Sequence, residues 1–320
     1  GTHALLRQEG GFHDLALVVT DEQHRFGVSQ RAAIAAKGRE GVHVLVMSAT
    51  PIPRTLALLL YGDLDVSRIG ELPPGRKPIK TSLVPPSKRR AMYDFLAAQI
   101  SEGRQAYVVC PLVEESEELP GVPGAVAHCA KLKRAFPSLR IDLLHGQMPA
   151  REKEAVAAAF RDGAIDILVS TTVIEVGVDV PNACVMAIEH ADRFGLAQLH
   201  QLRGRVGRGS AKSYCFLISA AAGDTTATER LRMLVSSQDG FAIAEADLTL
   251  RGPGEFLGKR QHGLSEFAAA SLAMDMGVLQ QAQEAANRLL ADPAWAASAQ
   301  PLLAKARERL AAMEREIAPN

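Results

Sequence analysis

Residues Ile141 to Thr172, IDLLHGQMPAREKEAVAAAFRDGAIDILVSTT, hold the pattern that decides the fold. Two apolar runs, Ile141 to Leu144 and Ile165 to Val169, flank a segment from Pro149 to Arg161 that has a proline near its first turn and Gly163 just past its end. Short apolar runs without alternation suit strands buried on both faces. Proline first and glycine last is the asymmetry of a helix. Strand, helix, strand predicts a βαβ unit and a parallel sheet. Similar runs recur at Leu15 to Val19, Val42 to Met47, Ile79 to Val84, Ala106 to Cys110, Cys184 to Ile188 and Tyr214 to Ile218, and a further helix is predicted over Ser87 to Ser101.

A length of 320 residues, at roughly 100 to 200 per domain, predicts two or three domains, each able to bury a core without disulfides or metals. No apolar run approaches the roughly 18 residues of a membrane span. The 36 basic and 36 acidic side chains cancel, so any attraction for nucleic acid must come from local patches. Cys110, Cys129, Cys184 and Cys215 form no CxxC pair and sit mostly in apolar surroundings, which reads as small buried hydrophobes in a reducing cytoplasm. The opening GTHALLRQEGG lacks an initiator Met and a signal peptide, and is read as the start of a fragment within a domain.

The linker Glu71 to Pro78, ELPPGRKP, predicts a stiff connection between two α/β lobes, the first incomplete. Glu114 to Gly124 reads as a solvated acidic insertion. After Ala220 the pattern turns helical: Thr226 to Ser237, then Ser271 to Ala291 with Leu272, Met276, Leu279, Ala286 and Leu290 on one stripe, then a helix after Pro301 with Leu303, Ala306, Leu310, Met313 and Ile317. Both stripes are expected to dock on the second lobe.

Several groups carry chemistry. Asp21-Glu22-Gln23-His24 follows the apolar run LALVV, placing two carboxylates at the C-terminal end of a buried parallel strand, where such sheets hold ligands. An Asp there can hold Mg²⁺ through its water shell while Glu polarises the attacking water; an acidic strand-to-loop turn looks the same. Ser48-Ala49-Thr50 brings two hydroxyls to the end of the next strand, as turn caps or as a relay with His24. Gln201 to Arg208, QLRGRVGR, sets Arg203, Arg205 and Arg208 among Gly204 and Gly207. Three arginines in six residues suit a solvated basic face or a DNA patch, but the glycines suggest close approach to a ligand and the guanidinium forks match phosphate oxygens, which favours arginine fingers. Gly204 to Gly209 has P-loop glycine spacing, but Ser210 stands where the lysine must be. Ser170-Thr171-Thr172 after IDILV, with Glu175, Gly177 and Asp179 beyond, suits a nucleic-acid backbone or an ordinary helix cap, and Asp179 a ribose or an arginine. Asp247 to His262, DLTLRGPGEFLGKRQH, packs three glycines, a proline and three cations and is predicted to be a long functional loop.

In this order the motifs resemble the C-terminal part of the RecG family of bacterial ATP-dependent DNA helicases, within superfamily 2. Gly1-Thr2-His3 looks like the tail of motif Ib, DEQH like motif II, SAT like motif III, STTVIEVGVDVPNA like motif V and QLRGRVGR like motif VI. DLTLRGPGEFLGKRQHG is similar to the translocation motif that this family shares with the transcription-repair coupling factor Mfd, and the resemblance runs essentially the whole length. Three departures stand out: Ser48 where Thr is frequent, Gly70 where an acid is common, and His262 where Ser is usual.

The resemblance implies RecA-like parallel sheets flanked by helices, with a partial first lobe over 1–78, a complete second lobe over 79–222 and a helical region with the translocation motif over 223–320. It implies ATP and Mg²⁺ as cofactors, with Asp21 for the metal, Glu22 for water activation, Arg205 and Arg208 for the γ-phosphate, and Gln201, Gly177 and Asp179 at the nucleotide. His24, Ser48 and Thr50 would couple hydrolysis to motion, Thr2, His3, Thr171 and Thr172 would touch DNA phosphates, and Arg251, Arg260 and Gln261 would belong to the translocation loop. The implied partner is branched duplex DNA, forks and Holliday junctions, handled by a monomer in the bacterial cytoplasm at the nucleoid. A wedge domain and the P-loop half are expected to precede residue 1, because no GxxxxGK[ST] occurs in the chain. Two alternatives remain: the matching part of Mfd, whose loop typically reads RGAGNLLG where this chain has RGPGEFLG, and a non-enzymatic DNA-binding adaptor. The intact Asp21, Glu22, Arg205 and Arg208 argue against the adaptor.

Overall fold

The computed structural model describes residues 15–21, 42–48, 67, 69–71, 76–114, 124–175, 180–219, 225–251, 276–291 and 299–317. The chain divides into two compact units, Gly1–Pro51 and Ile52–Asn320. In the first, β1 (Leu17–Thr20) pairs in parallel with β2 (His43–Val46), with Thr20 opposite Val46.

The second unit is built on six parallel strands in the order β3-β8-β7-β4-β6-β5: β3 (Lys80–Val84), β4 (Gln105–Val109), β5 (Ile141–Leu144), β6 (Ile167–Ser170), β7 (Ala183–Ile188) and β8 (Tyr214–Ile218). The connecting helices are α1 (Arg89–Ser101), α2 (Ala125–Ala135), α3 (Ala150–Arg161) and α4 (Leu196–Arg203). The quoted stretch from Ile141 is β5, α3 and β6, as its pattern predicts, with β5 and β6 paired in parallel.

Of the four interior strands, β4, β6 and β7 are buried at every position, which explains their lack of alternation, while β8 is half-buried at Tyr214 and Phe216. One apolar cluster, with Tyr107, Phe160, Leu168, Met186 and Leu199, fills one side of the sheet; the other, with Leu96, Val108, Cys129, Ile167 and Val185, fills the opposite side. Gln105 fixes the start of β4 by donating to the carbonyls of Phe160 (2.6 Å) and Ile165 (2.8 Å). All four cysteines are buried thiols, as expected.

After β8 come α5 (Thr225–Ser236), α6 (Gly240–Arg251), α7 (Met276–Ala291) and α8 (Gln300–Ile317). Leu231, Leu234 and Ile243 of α5 and α6 join the first cluster, so this hairpin is part of the second unit's core.

Three expectations need correction. Asp247 to Arg251 is not loop but the last turn and a half of α6, because the helix-breaking residues begin only at Gly252. The stripes of α7 and α8 are not buried at their described positions: Ala286, Leu290 (70%) and Ala306 are exposed, and only Leu303 is half-buried. β1 and β2 do not share the two-sided burial of the interior strands, since Leu17, Val19, Val44 and Leu45 are exposed. Residues 115–123 of the acidic insertion lie outside the described residues.

Candidate nucleotide and nucleic-acid site

In the first unit, Asp21 and Ser48 follow the C-terminal ends of two paired parallel strands and are exposed. Met47 N–H donates to the Thr20 carbonyl at 2.7 Å, which holds the two strand ends level. An exposed carboxylate at such an end is the hard oxygen donor that a hydrated Mg²⁺ takes, so this residue fits the implied metal. Thr2, His3, Glu22, His24 and Thr50 lie outside the described residues. Among the described residues, no group of three His, Cys, Asp or Glu side chains could hold a metal outright.

In the second unit, β6 ends in Ser170, whose hydroxyl is buried and donates to the Leu144 carbonyl at 2.6 Å, tying the ends of β5 and β6 together. Thr171 is also buried, and half-buried Thr172 opens a 3-10 turn, Thr172–Glu175. Gly177 and Asp179 lie outside the described residues.

The arginine-rich stretch sorts into distinct environments. Gln201 is half-buried on α4. Arg203, the last residue of α4, is turned inward and only 3% exposed. Its Nη1 donates to the carbonyls of Leu234 (2.7 Å) and Ser237 (2.8 Å), and its Nη2 lies 2.9 Å from His200 Nδ1. These carbonyls belong to the end of α5, whose last C=O groups have no partner within the helix. Burial pushes the guanidinium pKa below its ordinary value. Burial, then the Arg203 charge, pushes His200 down to about 4. A neutral His200 carrying its proton on Nε2 leaves Nδ1 as an acceptor for Arg203.

Arg205 is half-buried and Arg208 exposed, the latter donating through Nε to the Gly204 carbonyl at 3.4 Å. Arg76 also reaches that carbonyl (3.1 Å), and Lys77 that of Ser210 (2.5 Å), so the end of the ELPPGRKP linker is fastened to the arginine-rich turn. The glycines have an internal reason. Gly207 has φ +80, and a Cβ on it would meet Ile79 at 3.0 Å; one on Gly209 would meet the Pro181 carbonyl at 2.4 Å. The close approach expected toward a ligand is therefore, at these glycines, an approach to the chain itself.

The N-terminal end of α4 is held from the same hairpin. Arg230 of α5 donates to the Phe194 carbonyl (3.0 Å), and its Nε lies 3.9 Å from the carboxylate of buried Asp247 on α6. α6 ends at Arg251, whose side chain is not described; Arg260 and Gln261 lie outside the described residues.

One constellation has no sequence signal. Glu189, the first residue after β7 and 1% exposed, pairs with Arg89 and accepts the Tyr93 hydroxyl at 2.8 Å. His128 Nε2 lies 2.8 Å from the same hydroxyl. Burial, aided by Arg89, pushes His128 down to about 4, and burial pushes the Tyr93 phenol above its ordinary range. The three partners lie 61 to 100 residues from Glu189, so no local spacing reveals the cluster.

Comparison with known proteins agrees with this architecture. The family model "Helicase conserved C-terminal domain" matches residues 87–210, and "ATP-dependent DNA helicase RecG, domain 3, C-terminal" matches residues 237–315. The chain is 56% identical over 292 residues to an ATP-dependent DNA helicase RecG of Synechocystis, covering 91% of this chain and 35% of that protein. Against the Escherichia coli K12 protein of the same name it is 52% identical over 293 residues, covering 90% of this chain and 42% of that one. A solved structure described as RecG bound to a three-way DNA junction matches with TM-score 0.66 and 48% identity over 87% of this chain and 35% of that chain. The chain thus spans well under half the length of the relatives it matches. A Mycobacterium smegmatis helicase Lhr structure, 19% identical with TM-score 0.52 over 70% of this chain and 31% of that one, shares the fold alone. The parallel sheet flanked by helices is the RecA-like one the motifs imply, and the match over residues 237–315 favours RecG over the coupling factor.

Proposed function

We propose, from the premise that this chain corresponds to the C-terminal helicase portion of the RecG helicases, that it forms part of an ATP-driven motor. The motor remodels branched duplex DNA, reversing forks and migrating Holliday junctions, as a monomer in the bacterial cytoplasm. The observation that carries the reading is the sorting of QLRGRVGR. Arg203 is consumed in folding, while Arg205 and Arg208 flank a turn whose glycines hold the backbone tightly.

On this reading Arg205 and Arg208 bear on the γ-phosphate, with Gln201, Gly177 and Asp179 at the nucleotide. Asp21 takes the hydrated Mg²⁺, and Glu22 orients the attacking water. Bound ATP·Mg²⁺ supplies the phosphoryl group and the charge neutralisation. Thr2, His3, Thr171 and Thr172 meet DNA phosphates, and His24, Ser48 and Thr50 transmit the nucleotide state.

Coupling to movement runs through the hairpin. α4 is bonded to α5 at both ends, by Arg203 and by Arg230, and Arg230 faces Asp247 on the helix that ends at Arg251. A shift of α4 therefore acts on both helices that lead to RGPGEFLGKRQ, where Arg251, Arg260 and Gln261 would grip the duplex.

The 320-residue chain carries no P-loop lysine, so its purified form should show no measurable DNA-stimulated ATP hydrolysis. Robust turnover by this chain, abolished by Glu22→Gln, would overturn the reading.

A further inference from the structure

A cavity of about 390 Å³ opens between the N-terminal half of α1 and the C-terminal half of α2, apart from the motifs discussed above. Its volume lies at the small end of the range of ligand pockets, roughly 300 to 1,000 Å³. Tyr93, His128 and Leu132 on its wall are buried, and Phe136 is half-buried. The Tyr93 ring centroid lies 6.3 Å from that of Phe136 and 6.2 Å from that of His128, the ring planes tilted by 41° and 39°. The result is an aromatic wall with no charge of its own, because Glu189 cancels Arg89 and desolvation keeps His128 neutral.

The rim differs. Arg90 and Lys131 are exposed there against one carboxylate, Asp94, leaving an excess of one positive charge. Aromatic surface beside a rim with one excess positive charge is what one unpaired nucleotide demands: a π-face for the base and cations for a singly charged phosphodiester.

We propose that the cavity between α1 and α2 binds one nucleotide of single-stranded DNA, its base against Phe136 and Tyr93 and its phosphate between Arg90 and Lys131. This goes beyond the motor reading and needs no ATP, so its failure would leave that reading standing.

The test irradiates the 320-residue chain with an oligothymidylate of roughly 12 nucleotides carrying 5-iododeoxyuridine, and maps the adducts by mass spectrometry. Adducts are expected on Tyr93, His128 or Phe136. Thymidine 5′-monophosphate should suppress them at concentrations where inorganic phosphate does not. Phe136→Ala should weaken oligonucleotide binding about tenfold. Lys131→Glu, a surface change that spares the fold, should remove the adducts and lower the salt dependence of binding. Adducts confined to other parts of the chain, equal suppression by inorganic phosphate, or adducts undiminished in Lys131→Glu would each overturn the proposal.

Discussion

The Arg203 guanidinium donates to the Leu234 carbonyl at 2.7 Å, binding the end of α4 to the end of α5 inside the core. It has no solvent-facing part to offer a ligand. Arg203→Ala should therefore act on stability, costing about 2 to 3 kcal/mol because the buried Leu234 carbonyl and the half-buried Ser237 carbonyl lose a charged donor. Urea unfolding of the 320-residue chain checks this. A loss below about 0.5 kcal/mol would show that the bonds are replaced by water.

Arg205→Ala and Arg208→Ala should leave that unfolding transition in place. In the complete protein each should slow ATP hydrolysis by ~10³-fold or more, on the scale of arginine fingers, with DNA affinity nearly constant. Weakened DNA binding with a flattened salt dependence and intact hydrolysis would instead make the turn a phosphate-backbone contact.

Acid should destabilise the second unit before its carboxylates titrate. His128 and His200 are held neutral, each near 4 in the fold against 6.5 in the open chain. The unfolded state therefore takes up protons first as pH falls. Stability is complete above about 6.5 and declines as pH drops toward 4, by up to about 3 kcal/mol per histidine. Denaturation midpoints between pH 7 and about 4.5 measure the slope, and His128→Gln should reduce it. An unchanged slope would assign the effect elsewhere.

Arg251→Ala in the complete protein should keep most DNA-stimulated ATP hydrolysis and lose fork unwinding, since α6 brings Arg251 to the end of the hairpin rather than to a phosphate-binding turn. Both activities must be read on one preparation. A proportional loss of the two, or undiminished unwinding, would sever the hairpin from movement.

Much of the sheet was legible because β4, β6 and β7 are buried on both faces and so form unbroken apolar runs; β5 and β8 match their predicted bounds, and the rest of the six shift by one or two residues. α2 was not legible: AVAHCAKLKRA follows a proline-glycine loop and is too short for a strong period. Nor was α4, eight residues between glycines. The arginine-rich motif could be found from its residues, but not which arginine turns inward, since that depends on where α5 ends. Glu189, Arg89, Tyr93 and His128 gave no signal because the sheet alone brings them together.

The edge position of β3 bears on how the protein is made. Its neighbour in the sheet is β8, with Lys80 opposite Tyr214, while β4 to β7 lie between them in the chain. At a synthesis rate of ~5 to 20 residues per second, β3 leaves the ribosome roughly ten seconds before its partner exists. Strands β7, β4, β6 and β5 can assemble meanwhile, presenting the open edge of β7 that β8 later covers. A nascent chain stalled short of Tyr214 would hold β3 without a partner and the inner edge of β7 uncovered at once, the condition under which chains pair with each other, so this stretch of translation is where a chaperone has most to protect.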